Sequence, residues 1–226
     1  MAIRGARDAL GRVFFQRCFY LFVVLFVFIT TVPFFEPTQH GRLFMNALNA
    51  FVVIATVAAV GRTLLSFVIV LLLAAPALYF QYLGVTVDSV EHIAMSWSFC
   101  TALYAVTIAY LLRYVFQPEV MTADKLYGAA AAYLMIGVFW TYVYALVNYC
   151  YAGSFAVAGT QKDVQLFDLL YFSFTVLTST GFGDITPLTR QARAMCVAQQ
   201  IVGALFIAIL IARLAGVYPP RQGGRQ

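Results

Sequence analysis

Thr178 to Pro187 reads TSTGFGDITP, at the end of a 15-residue uncharged run from Leu169 to Gly183. A helix needs about 20 apolar residues to cross a hydrocarbon layer roughly 30 Å thick. This run is too short and ends in glycines, which leave helical geometry easily. It predicts a re-entrant segment that enters as a helix and returns as extended chain. Non-helical backbone survives at membrane depth only where protein buries it or where it lines a water-filled cavity. The stretch therefore predicts a site before any motif is considered.

The rest of the chain supplies the membrane context. Of 226 residues, 63% are hydrophobic and 10% charged, where an ordinary soluble domain carries about 25% charged residues. Such a chain cannot cover a water-facing surface. The net charge of +5 does not point to nucleic acid, because the basic residues lie between apolar runs, where they set topology. Cys18, Cys100, Cys150 and Cys196 are far apart and form no CxxC pair, so they read as inert buried thiols. Cys150, near the end of a span, is the one placed to meet a partner.

Uncharged runs cover Cys18–Phe35, Leu43–Gly61, Thr63–Val87, His92–Leu112, Leu126–Gln161 and Ala194–Ala212, predicting six spanning helices. The fifth run is too long for one span and divides into a helix from Leu126 to about Tyr151 and an external loop containing Gly153, Ser154 and Gly159. With the N-terminus in the cytoplasm, ten Lys and Arg residues fall inside and four (Arg42, Lys162, Arg190 and Arg193) outside. This orientation places both termini in the cytoplasm. The start of the chain resembles a signal peptide in its basic and apolar parts, but TTVPFFEPTQ lacks a small-residue cleavage site.

Side chains and carbonyls alternate sides along a strand. Aiming successive carbonyls at one axis requires alternating right- and left-handed conformations. The left-handed form costs an ordinary residue about 1–2 kcal/mol, whereas glycine adopts it freely. Gly181 and Gly183 therefore permit a short stack of oxygens facing one way, and such a stack replaces the water shell of a cation. One chain supplies one wall, and the sequence has a single GFG.

YFSFTVLTSTGFGDITP resembles the pore helix and filter of tetrameric potassium channels, whose filter reads TVGYG and is followed by Asp. The resemblance covers roughly Leu126 to Val217. It implies a homotetramer of all-α membrane subunits, with six spans, a re-entrant pore helix and an extended selectivity filter. It also implies a filter of Thr178, Ser179, Thr180, Gly181, Phe182 and Gly183, with K+ held at Ser179, Thr180, Gly181 and Phe182, and Asp184 at the outer mouth. The expected division is a cytoplasmic N-terminus over 1–12, four peripheral helices over 13–116, a linker over 117–125, a pore unit over 126–217 and a tail over 218–226. Three residues depart from the pattern: Ser179 for Thr, Thr180 for Val and Phe182 for Tyr. The family's brace from that tyrosine to a pore-helix tryptophan is expected to be missing, since Tyr171 and Phe172 stand in the pore helix. Asp184 is expected to face the ion path, to pair with Arg190 or Arg193, or both. Thr175 stands where some relatives carry a glutamate that binds the aspartate.

Gly203 lies 19 residues past Asp184, where many members of that family carry a hinge glycine. Ala204, Ile207, Ile211 and Ala215 share one helical stripe and resemble the family's cavity-lining face, although ordinary packing produces the same spacing. Ile207 and Ile211 are candidates for a constriction that closes by dewetting. A voltage sensor needs several basic residues along one helix, and the fourth span carries only Arg113. Weak or no voltage dependence is expected.

YPPRQGGRQ after Val217 is too short for a tethered sensor domain, so the expected controls are lipid, tension, pH or a separate regulatory partner. His40 and His92 fall outside, where external pH sensing is available to them. No cofactor is expected beyond K+ as the permeant ion. The partners are three identical subunits and membrane lipid, and the location is the plasma or inner membrane, with a bacterial source expected. The alternatives are a poorly selective monovalent cation channel and, from another class, a secondary transporter built on a re-entrant segment. The spans offer no paired carboxylates, nucleophile–base set or metal ligands for an enzyme.

Overall fold

The computed structural model describes residues 17–31, 34, 50–56, 64–87, 89–117, 122–158 and 163–217. The N-terminal segment 1–12, most of the second expected span over 43–61, the middle of the 117–125 linker, the tail 218–226, His40, Arg42 and Lys162 lie outside the described residues. The elements in chain order are α1 (Arg17–Thr31), α2 (Leu64–Thr86), α3 (Val90–Val115), α4 (Ala123–Cys150), β1 (Phe155–Val157), α5 (Leu166–Leu177), β2 (Ile185–Pro187) and α6 (Arg190–Val217). Residues 50–56 are also helical. Among the described residues, α2, α3, α4 and α6 are long and apolar enough to cross a membrane, while α1 and α5 are shorter apolar helices. The chain is an all-α, multi-pass membrane protein.

α4 is the hub, and α1, α3, α5 and α6 all pack on it. Its first turns carry the small residues of GAAAAY, and Ala129, Ala131 and Ala132 are buried there. A side chain at Gly128 would come within 3.4 Å of both Cys18 and Val115, so this end of α4 lies close to α1 and α3. One carboxylate ties the three together: Asp124 accepts from the Cys18 main-chain N–H at 3.1 Å and from the Tyr114 hydroxyl at 2.6 Å. Farther along, Tyr104 of α3 stacks on Tyr142 of α4 at 5.7 Å. α2 and α3 form a hairpin in which Gly84 admits the Ile93 side chain and the buried Ser96 hydroxyl donates to the Ala77 carbonyl at 2.9 Å.

β1 and β2 pair antiparallel, with Phe155 opposite Pro187 and Val157 opposite Ile185. The expected external loop thus contains a strand. Three-residue strands are too short for an alternation pattern to reveal. Ser154 secures the ribbon's base: its N–H bonds Asn148, its hydroxyl reaches the Tyr151 carbonyl at 2.6 Å, and its carbonyl accepts from Leu188 at 2.8 Å.

Candidate functional site

α5 begins three residues before the uncharged run that predicted it. Asp168 accepts from the Gln165 main-chain N–H at 2.9 Å, so this charge caps the helix rather than interrupting it. An acidic residue is favourable in the first turn, where the helix dipole is positive. At the other end the Thr178 N–H still bonds Phe174 at 3.0 Å and Ser179 bonds Val176 at 3.0 Å. The Thr175 carbonyl then accepts from two consecutive donors, Thr180 at 2.9 Å and Gly181 at 3.3 Å. These two hydrogen bonds turn the chain out of the helix and fix where the extended segment starts.

The extended segment alternates in hand. Ser179, Gly181 and Gly183 have φ of 56°, 56° and 80°. Two of these are the glycines singled out in the sequence, and the third is a serine, for which this conformation costs about 1–2 kcal/mol. Residues 178–184 are all exposed on the single chain. No described residue donates a hydrogen bond to the carbonyl oxygens from Thr178 to Gly183. The next carbonyl is claimed, since Asp184 accepts from the Ala158 N–H at 2.7 Å. The unclaimed oxygens therefore end where the β ribbon begins.

The Thr178 hydroxyl donates to the Phe174 carbonyl at 2.8 Å and lies 2.8 Å from the Thr180 hydroxyl. Among the described residues no cluster of three or more metal-ligating side chains occurs. The oxygens this segment presents are thus those of the main chain and of hydroxyl groups.

One ring contact flanks the segment. Phe182 stacks on Tyr171 of α5 with ring centres 6.4 Å apart and planes 7° from parallel. In place of a tyrosine-to-tryptophan brace, this ring stack joins α5 to the segment. Asp184 also accepts from the Ile185 N–H at 3.0 Å, and Arg193 donates instead to the Pro187 carbonyl at 3.1 Å. Among the described residues neither Arg190 nor Arg193 forms an ion pair with Asp184. The Thr175 hydroxyl is occupied by the Phe172 carbonyl at 2.8 Å.

On α6, Gly203 faces the end of α5. A β-carbon there would lie 2.5 Å from the Leu177 carbonyl oxygen, and the helix runs unbroken through it. Ala204, Ile207, Ile211 and Ala215 are exposed on the single chain. The sequence reading passed over Gln199, which is fully buried between α6, α4 and α5 together with Ser173 and Tyr144. The readable signal was a carboxamide inside an apolar helix, since intramembrane polar groups are expensive unless partnered.

A family model described as "Ion channel" matches residues 128–218. The potassium channel protein kcv of Paramecium bursaria Chlorella virus 1 is 30% identical over 79 residues, which is 35% of this chain and 83% of that protein. The human voltage-gated delayed rectifier potassium channel KCNH5 is 35% identical over 60 residues, 26% of this chain and 6% of that protein. The rat voltage-gated inwardly rectifying potassium channel KCNH6 is 28% identical over 67 residues, 30% of this chain and 7% of that protein. The chain thus spans a small fraction of the two KCNH relatives. No solved structure matches it.

Proposed function

The chain belongs to the potassium-channel family, and we propose that four copies surround one axis and conduct potassium passively through the main-chain oxygens of residues 179–182. The observation that carries this reading is the unclaimed row of carbonyls from Thr178 to Gly183, with every second residue from Ser179 left-handed. Buried or membrane-embedded carbonyls need partners. A partly dehydrated cation on a shared axis supplies one for each copy, and the number and field of such oxygens set selectivity. The C-terminal end of α5, at Thr178, lies at the foot of the segment. Its partial negative charge, repeated in each copy, favours a cation there.

The six-span subunit with both termini in the cytoplasm remains part of this proposal, as does its place in the plasma or inner membrane. So does independence from voltage: α3 carries a single basic residue in its last turn, Arg113, whereas sensing needs several charges crossing the field. The test is purified protein in planar bilayers under bi-ionic conditions. Potassium is expected to set the reversal potential, and conductance is expected to stay nearly flat with voltage. Equal sodium and potassium permeability would favour the poorly selective channel, which the hydroxyl of Thr180 makes the natural second reading. A stable monomer would defeat the pore altogether.

The exposed stripe of Ala204, Ile207, Ile211 and Ala215 lines the cavity in this reading, with Ile207 and Ile211 as its narrow point. Ile211→Asn then wets the constriction. Single-channel recording is expected to show a clear rise in open probability at unchanged conductance, and identical gating would remove the residue from the gate.

A further inference from the structure

Gln199 sits in the middle of α6 with none of its surface exposed, and Ser173 of α5 and Tyr144 of α4 are equally buried. A carboxamide brings one acceptor oxygen and two N–H donors, and here all are used. The Tyr144 hydroxyl donates to Gln199 Oε1. Gln199 Nε2 donates to both the carbonyl and the hydroxyl of Ser173, each at 2.9 Å. The Ser173 hydroxyl in turn donates to the Gly137 carbonyl of α4 at 2.7 Å. The Tyr144 ring is held by Phe155 and Phe172, each with its ring centre 5.3 Å away. One closed network therefore pins α5 to both long helices of the pore unit.

We propose that Gln199 is a positioning residue for the ion filter, fixing the roll and depth of α5 and through it the spacing of the carbonyl row. This rests on the reading of residues 178–183 as the ion path. The connection is short. Two residues beyond Ser173, the Thr175 carbonyl holds the N–H groups of Thr180 and Gly181, so a rotation of α5 moves the filter's inner anchor directly. Apolar packing tolerates small slides of a helix, because apolar surface uncovered on one side is covered again on the other. A saturated buried network does not, since any slide strands a donor or acceptor away from water. Phe182 is stacked on Tyr171 near the outer end, so the Gln199 network supplies the hold deeper in the membrane. Gln199 touches no ion and acts through Ser173.

The experiment compares Gln199→Met, Ser173→Ala, the double variant and Gln199→Glu as full-length channels in bilayers. Two readouts are taken: tetramer content on native gels and the sodium-to-potassium permeability ratio from bi-ionic reversal potentials. Gln199→Met and Ser173→Ala are expected to raise the ratio by about tenfold, as a small misplacement of a positioned group does, while tetramers still form. The double variant is expected to be no worse than the stronger single one, because both break one network. Gln199→Glu, protonated in so buried a site, keeps one of the two donors and the acceptor and is expected to hold selectivity closer to wild type than Gln199→Met does. Ser173→Ala removes one hydroxyl and keeps the question open to measurement if the larger change prevents assembly. Variants that lower the amount of tetramer but leave its selectivity unchanged would make Gln199 a packing residue and sink the proposal. A wild-type channel with no preference for potassium would overturn the filter reading first, and this role with it.

Discussion

Gly181→Ala is expected to abolish potassium current while leaving the channel assembled. A β-carbon at Gly181 meets nothing within 4 Å, so the substitution causes no collision. The penalty is conformational: φ is 56°, and an ordinary residue loses about 1–2 kcal/mol there. In the proposed tetramer four copies must adopt the geometry together, which brings the total to about 4–8 kcal/mol. At about 1.4 kcal/mol per factor of ten, conducting filters become rarer by about a thousandfold or more. Ser179 already holds the left-handed form without being glycine, so the segment has little margin for another strained residue. Potassium flux into liposomes, read beside native-gel tetramer content, checks this. Wild-type flux from Gly181→Ala would show that the alternating backbone is not what conducts.

Gly203→Ala is expected to fail in a different way. Its β-carbon would lie 2.5 Å from the Leu177 carbonyl oxygen and 3.0 Å from the Leu177 side chain. The side chain can rotate aside, but the carbonyl is main chain at the end of α5 and cannot move without shifting the extended segment that follows. Overpacking of this kind costs about 1–3 kcal/mol per site, repeated in every copy. Thermal melting of the tetramer is expected to fall clearly, with current lost in proportion to surviving protein. If Gly203 served only as a hinge, Ala would leave the melting temperature unchanged and alter open probability alone. The two outcomes separate close packing from bending at the same position.

The parts legible in the sequence were those governed by a single local rule. Length and apolarity located α2, α3, α4 and α6, and charge-free spacing with terminal glycines located α5 and the extended segment after it. Gly181 and Gly183 announced the left-handed positions because no other residue is so readily left-handed. The left-handed form of Ser179 was not readable, because it accompanies the paired hydrogen bonds to Thr175, which no propensity contains. Asp168, just outside the apolar run, proved to be the cap of α5. The β1–β2 ribbon was too short for periodicity to register. The Gln199 network needed three helices to be brought together, and a sequence read helix by helix cannot display such a meeting. Tyr171 and Phe182 were noted as departures from the familiar pattern, but their stacking on each other required the fold.

The open row of oxygens along residues 178–183 has a consequence at the level of inheritance. In the proposed tetramer each chain builds a quarter of the conduit and nothing that works alone, so a flawed copy does not merely fail to contribute. Incorporated among sound ones, it spoils the whole ring, and a cell making both versions in equal amounts would retain intact conduits in only a small minority. On that arrangement lesions in this stretch are expected to be dominant, whereas a lesion that stops the chain from folding at all removes the copy from the pool and is expected to be comparatively mild.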